Sequence, residues 1–360
     1  MSENMLVTEP QIGPDERDAV DRVLRDAASA PGAEVDAFEA EFATYLGAGT
    51  CVAVSSGSSA LHLGLLAAGV GPGDEVVVPS FTSVATVNAL AAAGATPVFA
   101  DIDPDTFCLD PRSVEAVIGP RTSAVLPVHL FGQPADMSAF TRLADRHGLA
   151  LVEDACQAHG AAWNRRRVGT FGTVAAFSFS RTKNMTASDG GLVVCADDAT
   201  ADKVRALRDQ GLAKCHDGEV VGLNARMTDV AAAMGRVQLH RLPGFNRVRR
   251  MNAALLTIGV RGVEPPPQPD EAWHVFQQYV VRSGRRARLA EHLAHAGIAT
   301  ATPYAVPVHR TPAYAQRVDL PETDRAAAEA LSLPVHPGIA GIDVRTIVRT
   351  VNEAAATRAA

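Results

Sequence analysis

Lys183 is the residue whose position most directly suggests covalent chemistry. It follows an apolar run of strand character, Val174 to Phe179, and precedes the glycines Gly190 and Gly191. An ammonium group is costly to desolvate without a partner, so a lysine just past a buried strand is unusual. Burial would lower its pKa and free a nucleophile that forms a Schiff base with an aldehyde. This stretch alone favours the alternative of a surface lysine after a strand.

An acidic pair upstream changes that balance. Glu153 and Asp154 end an apolar run, Leu149 to Val152, which is typical of a central parallel strand. Open α/β sheets bind ligands at the carboxyl ends of their strands. A lysine for the aldehyde and a carboxylate for the pyridine nitrogen are the two groups that pyridoxal phosphate requires of a protein. The acidic pair alone would indicate a solvated strand end, but with Lys183 it predicts a pyridoxal phosphate site.

Three further features are compatible with such a site. The S-S-G-S-S turn at 55–59 lies between a predicted strand and helix, where backbone N–H groups and hydroxyls suit a phosphate, although an ordinary N-cap by Ser58 or Ser59 is the commoner use. Ser178 is either a core hydroxyl or a second phosphate ligand. Gln157 either reaches the cofactor ring or is a polar loop residue. We expect structural roles for His129 and His159.

Composition excludes several classes of protein. Hydrophobic residues make up 47% and charged residues 20% of the 360 residues, with a net charge of −7 and no basic block, which argues against a nucleic-acid partner. The sequence shows no secretory signal or membrane span. The five cysteines lack CxxC spacing, which indicates reduced thiols in the cytoplasm and no zinc site.

The order of predicted elements indicates an α/β fold with two domains. Helices are predicted over 15–28 and 35–46, and strands and helices alternate from residue 51, as in a large doubly wound, mostly parallel sheet. A helix is predicted from Thr228 to Leu242, with an interruption at Pro243 and Gly244. We therefore divide the chain into a large domain, 1–245, and a smaller α+β domain, 246–360, with a strand at 274–281.

Several motifs of this chain resemble the DegT/StrS-type sugar aminotransferase family, whose members have the fold type I architecture of pyridoxal phosphate enzymes. The resemblance runs through nearly the whole chain in the expected order. The motifs are S-S-G-S-S-A-L-H-L-G-L-L (55–66), G-P-G-D-E-V-V-V-P-S-F-T (71–82), P-V-H-L-F-G-Q-P-A-D-M (127–137), V-E-D-A-C-Q-A-H-G-A (152–161), F-S-F-S-R-T-K-N-M-T (177–186), G-L-N-A-R-M-T-D-V (222–230), P-V-H-R-T-P-A-Y (307–314) and L-S-L-P-V-H-P-G (331–338).

The resemblance implies a role for each candidate site residue. Lys183 would form the Schiff base with pyridoxal phosphate, and Asp154 would pair with the pyridinium nitrogen. The remaining implied contacts are Gln157 near the ring oxygen, Gly57, Ser58 and Ser178 at the phosphate, Asn224 at the phosphate from the neighbouring subunit of a homodimer, and His309 near the sugar.

Two positions depart from the family pattern. Ser83 stands where members often carry an aromatic residue that stacks on the cofactor ring, and Ser188 replaces the usual glycine before the acidic residue of a G-D/E-G-G turn. Lysine at 183 argues against a dehydratase branch of the family, which has histidine there.

These features predict transfer of an amino group from L-glutamate or L-glutamine to a keto sugar, linked to a nucleoside diphosphate, in amino-sugar, antibiotic or glycan biosynthesis. A cyclitol or aminobenzoate-type aminotransferase is an alternative, since the stretch around Lys183 does not separate these acceptors. A sensor or scaffold that keeps the cofactor pocket without turnover is another; the intact lysine, aspartate and glutamine argue against it.

Overall fold

The computed structural model describes residues 5–26, 32–47, 49–212 and 220–356. Cys215 and the last two residues of the helix predicted over 15–28 lie outside these ranges. The strands are β1 (Thr50–Val54), β2 (Glu75–Pro79), β3 (Thr96–Ala100), β4 (Thr122–Val125), β5 (Ala150–Asp154), β6 (Ala162–Trp163), β7 (Arg166–Arg167), β8 (Val174–Ser178), β9 (Gly191–Cys195), β10 (Ala272–Trp273), β11 (Tyr279–Arg282) and β12 (Ala330–Leu333). The helices are α1 (Pro14–Arg25), α2 (Ala33–Leu46), α3 (Gly57–Ala67), α4 (Val84–Ala92), α5 (Pro111–Val117), α6 (Met137–His147), α7 (Asp198–Arg208), α8 (Asp229–Gly259), α9 (Arg286–His295), α10 (Pro321–Glu329) and α11 (Gly341–Ala356).

The large sheet is mostly parallel, as predicted. Across the described ranges it has seven strands in the order β1-β9-β8-β5-β4-β2-β3. β9 runs antiparallel to both of its neighbours, and the other pairs are parallel. β5 and β8 are adjacent, with Asp154 opposite Ala176. The carboxyl ends of these two strands therefore meet at one edge of the sheet, where the candidate residues were expected.

α8 continues through the predicted break at Pro243. The helix spans 31 residues with Pro243 inside it, so the interruption predicted there is wrong. A proline within a helix costs about 3 kcal/mol or more. α8 packs on α1, α2 and α11 and buries Leu242 and Phe245 on either side of the proline, which offsets this cost. The division between residues 245 and 246 falls inside α8 and stays a prediction.

Only the last three residues of the strand predicted at 274–281 belong to a strand. β11 begins at Tyr279 and pairs antiparallel with β12, whereas residues 274–278 are irregular. Phe276 has a φ of 45°, which is incompatible with a strand, and its N–H donates to Nδ1 of His274 (2.9 Å). The sequence pattern could not reveal this local bond.

Apolar side chains form three buried clusters. Two of them enclose the large sheet, and the third is built by residues between 253 and 351 of the C-terminal part. None of the described helices is both long and apolar enough to cross a bilayer. The described residues likewise contain no group of three metal-ligating side chains.

Candidate active site

Asp154 is held by two hydrogen bonds at the end of β5. Its Oδ2 accepts from the Thr86 hydroxyl of α4 (2.8 Å), and its Oδ1 accepts from the backbone N–H of Cys156 (3.1 Å). The side chain is only 4% exposed. Because successive strand residues point to opposite faces, only one member of the acidic pair can take this position.

Glu153 points to the other face and has a structural role. Its carboxylate accepts four hydrogen bonds, from the N–H groups of Gly169 (2.7 Å), Phe171 (2.7 Å) and Gly172 (2.9 Å) and from Nε2 of His129 (3.1 Å). Nδ1 of His129 accepts from the N–H of Ala135 (3.1 Å), which fixes the proton of the ring on Nε2. His129 therefore holds a loop, as the sequence suggested.

Lys183 lies five residues beyond the end of β8, in a loop at the same edge of the sheet. The Lys183 side chain is half-buried. The backbone N–H of Lys183 donates to the carbonyl of Ser180 (3.1 Å). The Cys156 thiol is buried, and the charges of both candidate groups act on it. Burial raises the pKa of Cys156 well above its usual value, Asp154 raises it further, and Lys183 lowers it. The charges of Asp154 and Lys183 thus act on one thiol between them.

The serine-rich turn leads into the amino terminus of α3. Ser56, rather than the expected Ser58 or Ser59, is the N-cap, and its hydroxyl accepts from the N–H of Ser59 (3.1 Å). Ser58 is exposed. The N–H groups of Gly57 and Ser58 occupy the first two helical positions, which have no acceptor within the helix. They are available to an anion at this terminus.

Ser178 packs directly against this turn. A Cβ atom on Gly57 would lie 2.5 Å from Cβ and 2.9 Å from Oγ of Ser178, so only glycine fits there. The Ser178 hydroxyl therefore lies near the amino terminus of α3, and its contact with a phosphate stays a prediction.

Gln157 has a fixed orientation. Its Oε1 accepts from the N–H of Phe131 (2.8 Å), and its Nε2 donates to the hydroxyl of Tyr304 (2.8 Å). Burial raises the pKa of Tyr304 to about 12. The sequence analysis missed Tyr304 and Thr86. Tyr304 lies three residues before the P-V-H motif, and this position could have indicated it as a site residue. No local pattern in the sequence indicated Thr86.

The two departures from the family pattern have structural explanations. Ser83 is the N-cap of α4, and its hydroxyl accepts from the N–H of Ala85 (3.3 Å). Ser188 has a φ of 68°, so it adopts the left-handed conformation that a glycine would favour. The turn before Gly190 therefore carries some backbone strain at Ser188.

Asn224 and His309 occupy contrasting positions. Asn224 is exposed, and the carbonyl of the next residue, Ala225, accepts from the N–H of Ser55 (2.8 Å). His309 is 2% exposed, and both of its ring nitrogens are engaged, Nδ1 with the Ser80 hydroxyl (2.7 Å) and Nε2 with Nε of Arg310 (3.3 Å). Its proposed contact with a sugar stays a prediction.

Comparison with known proteins identifies the family. The model of the DegT/DnrJ/EryC1/StrS aminotransferase family matches residues 10–352. The chain is 43% identical over 346 residues to the dTDP-3-amino-3,4,6-trideoxy-alpha-D-glucose transaminase of Streptomyces venezuelae, covering 93% of this chain and 90% of the relative. It is 40% identical over 353 residues to the pleiotropic regulatory protein of Geobacillus stearothermophilus, covering 95% of each.

A solved structure has the same fold. The crystal structure of S. venezuelae DesV in complex with a ketimine intermediate aligns with a TM-score of 0.91 and 42% identity, covering 95% of this chain and 94% of that one. The fold type I architecture predicted from the sequence is confirmed. The chain belongs to the DegT/DnrJ/EryC1/StrS aminotransferase family.

Proposed function

We propose that this protein is a pyridoxal phosphate-dependent aminotransferase that moves an amino group from L-glutamate or L-glutamine to a keto sugar carried on a nucleoside diphosphate, in amino-sugar or antibiotic biosynthesis. The observation that carries the proposal is the adjacency of β5, which ends at Asp154, and β8, which leads into the Lys183 loop. The charges of both residues also act on Cys156. The S. venezuelae relative is named for a dTDP-linked amino sugar, which supports a nucleotide-linked acceptor.

The residues of the site fit this cofactor. The free N–H groups at the start of α3, the Ser58 hydroxyl and Ser178 supply donors for a phosphate. Gly57 adds no side-chain atoms beside Ser178. Asp154 would accept a hydrogen bond from the pyridine nitrogen, and Gln157 would face the ring oxygen. These are the donors and acceptors that the phosphate and the ring require.

The chain's own groups would divide the chemistry between them. When bound, pyridoxal phosphate supplies an electron sink for the carbon that loses a proton. Asp154, oriented by Thr86, would keep the ring nitrogen protonated. The amine of Lys183 would bind the aldehyde and, once released, take a proton from the donor's α-carbon as general base and return it as general acid. Tyr304 would hold the Gln157 amide in place.

We also propose a homodimer in the cytoplasm with shared active sites. Large apolar side chains are exposed on α1 and near residue 221, including Leu24 (66%) and Val221 (94%). A cavity of about 440 Å³ beside α1 is also lined by Arg181 and Ser188, which flank the Lys183 loop. An exposed apolar surface that reaches the edge of a site suits a subunit contact. The buried thiols among the described residues, all unpaired, suit a reducing compartment.

Subunit complementation tests the shared site. Lys183→Ala and Asn224→Asp homodimers should each be nearly inactive, the second because its carboxylate repels the phosphate dianion. With random subunit exchange, half of the dimers are mixed and half of their sites are whole, so about a quarter of wild-type activity should return. Mixed dimers that recover no activity would show that Asn224 acts within its own chain or not at all, an outcome compatible with the contact between Ala225 and Ser55.

An absorbance experiment tests the reaction. The purified protein loaded with pyridoxal phosphate should lose its visible absorbance with L-glutamate or L-glutamine and regain it with a keto-sugar nucleotide. Recovery with a cyclitol ketone or an aminobenzoate precursor, but with no sugar nucleotide, would support the alternative acceptors. Bound cofactor that responds to no amino donor would support a sensor or scaffold.

A further inference from the structure

The irregular segment 274–278 touches the part of the site that holds Gln157. The N–H of Val275 donates to the carbonyl of Gly132 (3.1 Å), and the N–H of Gln278 donates to the carbonyl of Phe131 (3.2 Å). Phe131 is the residue whose N–H fixes the Gln157 amide. A Cβ atom on Gly132 would lie 2.9 Å from N of Gln277, so the backbones are in close contact.

The same segment holds both peptide neighbours of Lys183. Nε2 of Gln277 donates to the carbonyl of Thr182 (2.9 Å). Nδ2 of Asn184 donates to the carbonyl of Val275 (3.1 Å). Segment 274–278 thus joins two parts of the site that are far apart in the sequence.

A buried cation from α8 fixes this segment. Arg249 is 3% exposed, and one guanidinium nitrogen donates to the carbonyls of Phe276 (3.2 Å) and Gln277 (3.3 Å). Burial lowers the pKa of Arg249 to about 10, and no carboxylate of the described residues offsets that effect. A buried cation without a counter-ion is costly to the fold. The two carbonyls that it binds belong to Phe276, which has the left-handed conformation, and to the residue after it.

We propose that Arg249 is a positioning residue that sets the geometry of Lys183 and Gln157 through segment 274–278. The proposal rests on the proposed function, in that Lys183 is taken to bind the cofactor. Without the guanidinium, the Phe276 backbone is free to relax toward an extended conformation. The Gln277–Thr182 and Asn184–Val275 hydrogen bonds would then loosen, and the Lys183 amine would lose its alignment.

The test compares Arg249→Met and Arg249→Lys with Arg241→Met. Arg241 is an α8 arginine that pairs with buried Glu16 (2.6 Å), so its loss destabilises the protein without touching segment 274–278. The readouts are the pyridoxal phosphate trapped on Lys183 by borohydride, the pH midpoint of the visible absorbance, and kcat and KM. Misalignment by about 1 Å costs about 10²-fold in rate. We therefore expect Arg249→Met to lose about 10²-fold in kcat with little change in KM, and to shift the pH midpoint of the visible absorbance. Arg249→Lys should recover part of the lost kcat.

The outcomes separate this proposal from its premise. A wild-type protein that traps no cofactor on Lys183 would refute the proposed function. With normal wild-type trapping, the positioning role is refuted if Arg249→Met keeps the wild-type kcat and pH midpoint, or if Arg241→Met shows the same changes at an equal loss of stability. If Arg249→Met does not fold, Arg249→Lys and Gln277→Met carry the test, and a wild-type pH midpoint in both would overturn the proposal.

Discussion

The carboxylate of Glu153 offers a sharp test of which acidic residue holds the fold. In Glu153→Gln, one oxygen becomes an NH₂ group that faces two donors whichever way the amide is turned. One side presents the N–H groups of Phe171 and Gly172, and the other presents those of Gly169 and the His129 ring. Two buried donors therefore lose their acceptor at about 1–3 kcal/mol each, so the free energy of unfolding should fall by about 2–6 kcal/mol.

Replacing the neighbouring Asp154 carboxylate by an amide should leave stability almost unchanged and should instead slow turnover. In Asp154→Asn, the amide oxygen can keep the N–H of Cys156, and the Thr86 hydroxyl can rotate to accept from the new NH₂ group. The free energy of unfolding should therefore stay within about 1 kcal/mol of wild type. Loss of the charge facing the pyridine nitrogen should slow turnover by about 10²-fold or more.

Urea unfolding and initial rates measure both effects. Each variant is unfolded without added cofactor, so that stability is separated from ligand binding, and turnover is then measured at a temperature where both are folded. Glu153→Gln should have low stability and near-normal turnover. Asp154→Asn should have near-normal stability and slow turnover. Equal stabilities for the two variants, or near-normal turnover in Asp154→Asn, would refute the assignment of these carboxylates.

Three further outcomes are expected. Lys183→Ala should lose at least ~10²–10⁴-fold in aminotransfer while still binding pyridoxal phosphate non-covalently, and borohydride trapping of the wild-type cofactor on another lysine would refute the assignment. Gly57→Ala should weaken cofactor binding by about 1–3 kcal/mol, because its Cβ overlaps Ser178; an unchanged titration of the apoprotein would contradict this. Burial lowers the pKa of His159 to about 3, so the unfolded state binds a proton that the native state does not, and stability falls as pH drops below about 6.5. His159→Phe should remove about 1.4 kcal/mol per pH unit of that slope between about pH 6 and about pH 4, and an unchanged slope would exclude this origin.

Local pattern predicted most of the large sheet but failed where tertiary contacts override propensity. β5 and β8 are buried on both faces, and such strands can be predicted because they contain nearly continuous apolar runs. Pro243 predicts a break because a proline within a helix is costly, yet packing along α8 outweighs that cost. The strand predicted at 274–281 fails over segment 274–278, because this segment is bound by hydrogen bonds from α8, Gly132 and the Lys183 loop.

The sequence by itself determined the kind of chemistry, because residue types set it: an amine after one strand and a carboxylate at the end of another. It also determined the mostly parallel sheet, since strand and helix periodicities are local properties. Only the tertiary structure showed what each carboxylate binds, Asp154 the Thr86 hydroxyl and Glu153 the N–H of Gly169, because strand alternation puts neighbours on opposite faces without specifying their partners. It alone joined Thr86, Tyr304 and Arg249 to the site, because hydrogen bonds between distant segments leave no periodic trace in the sequence.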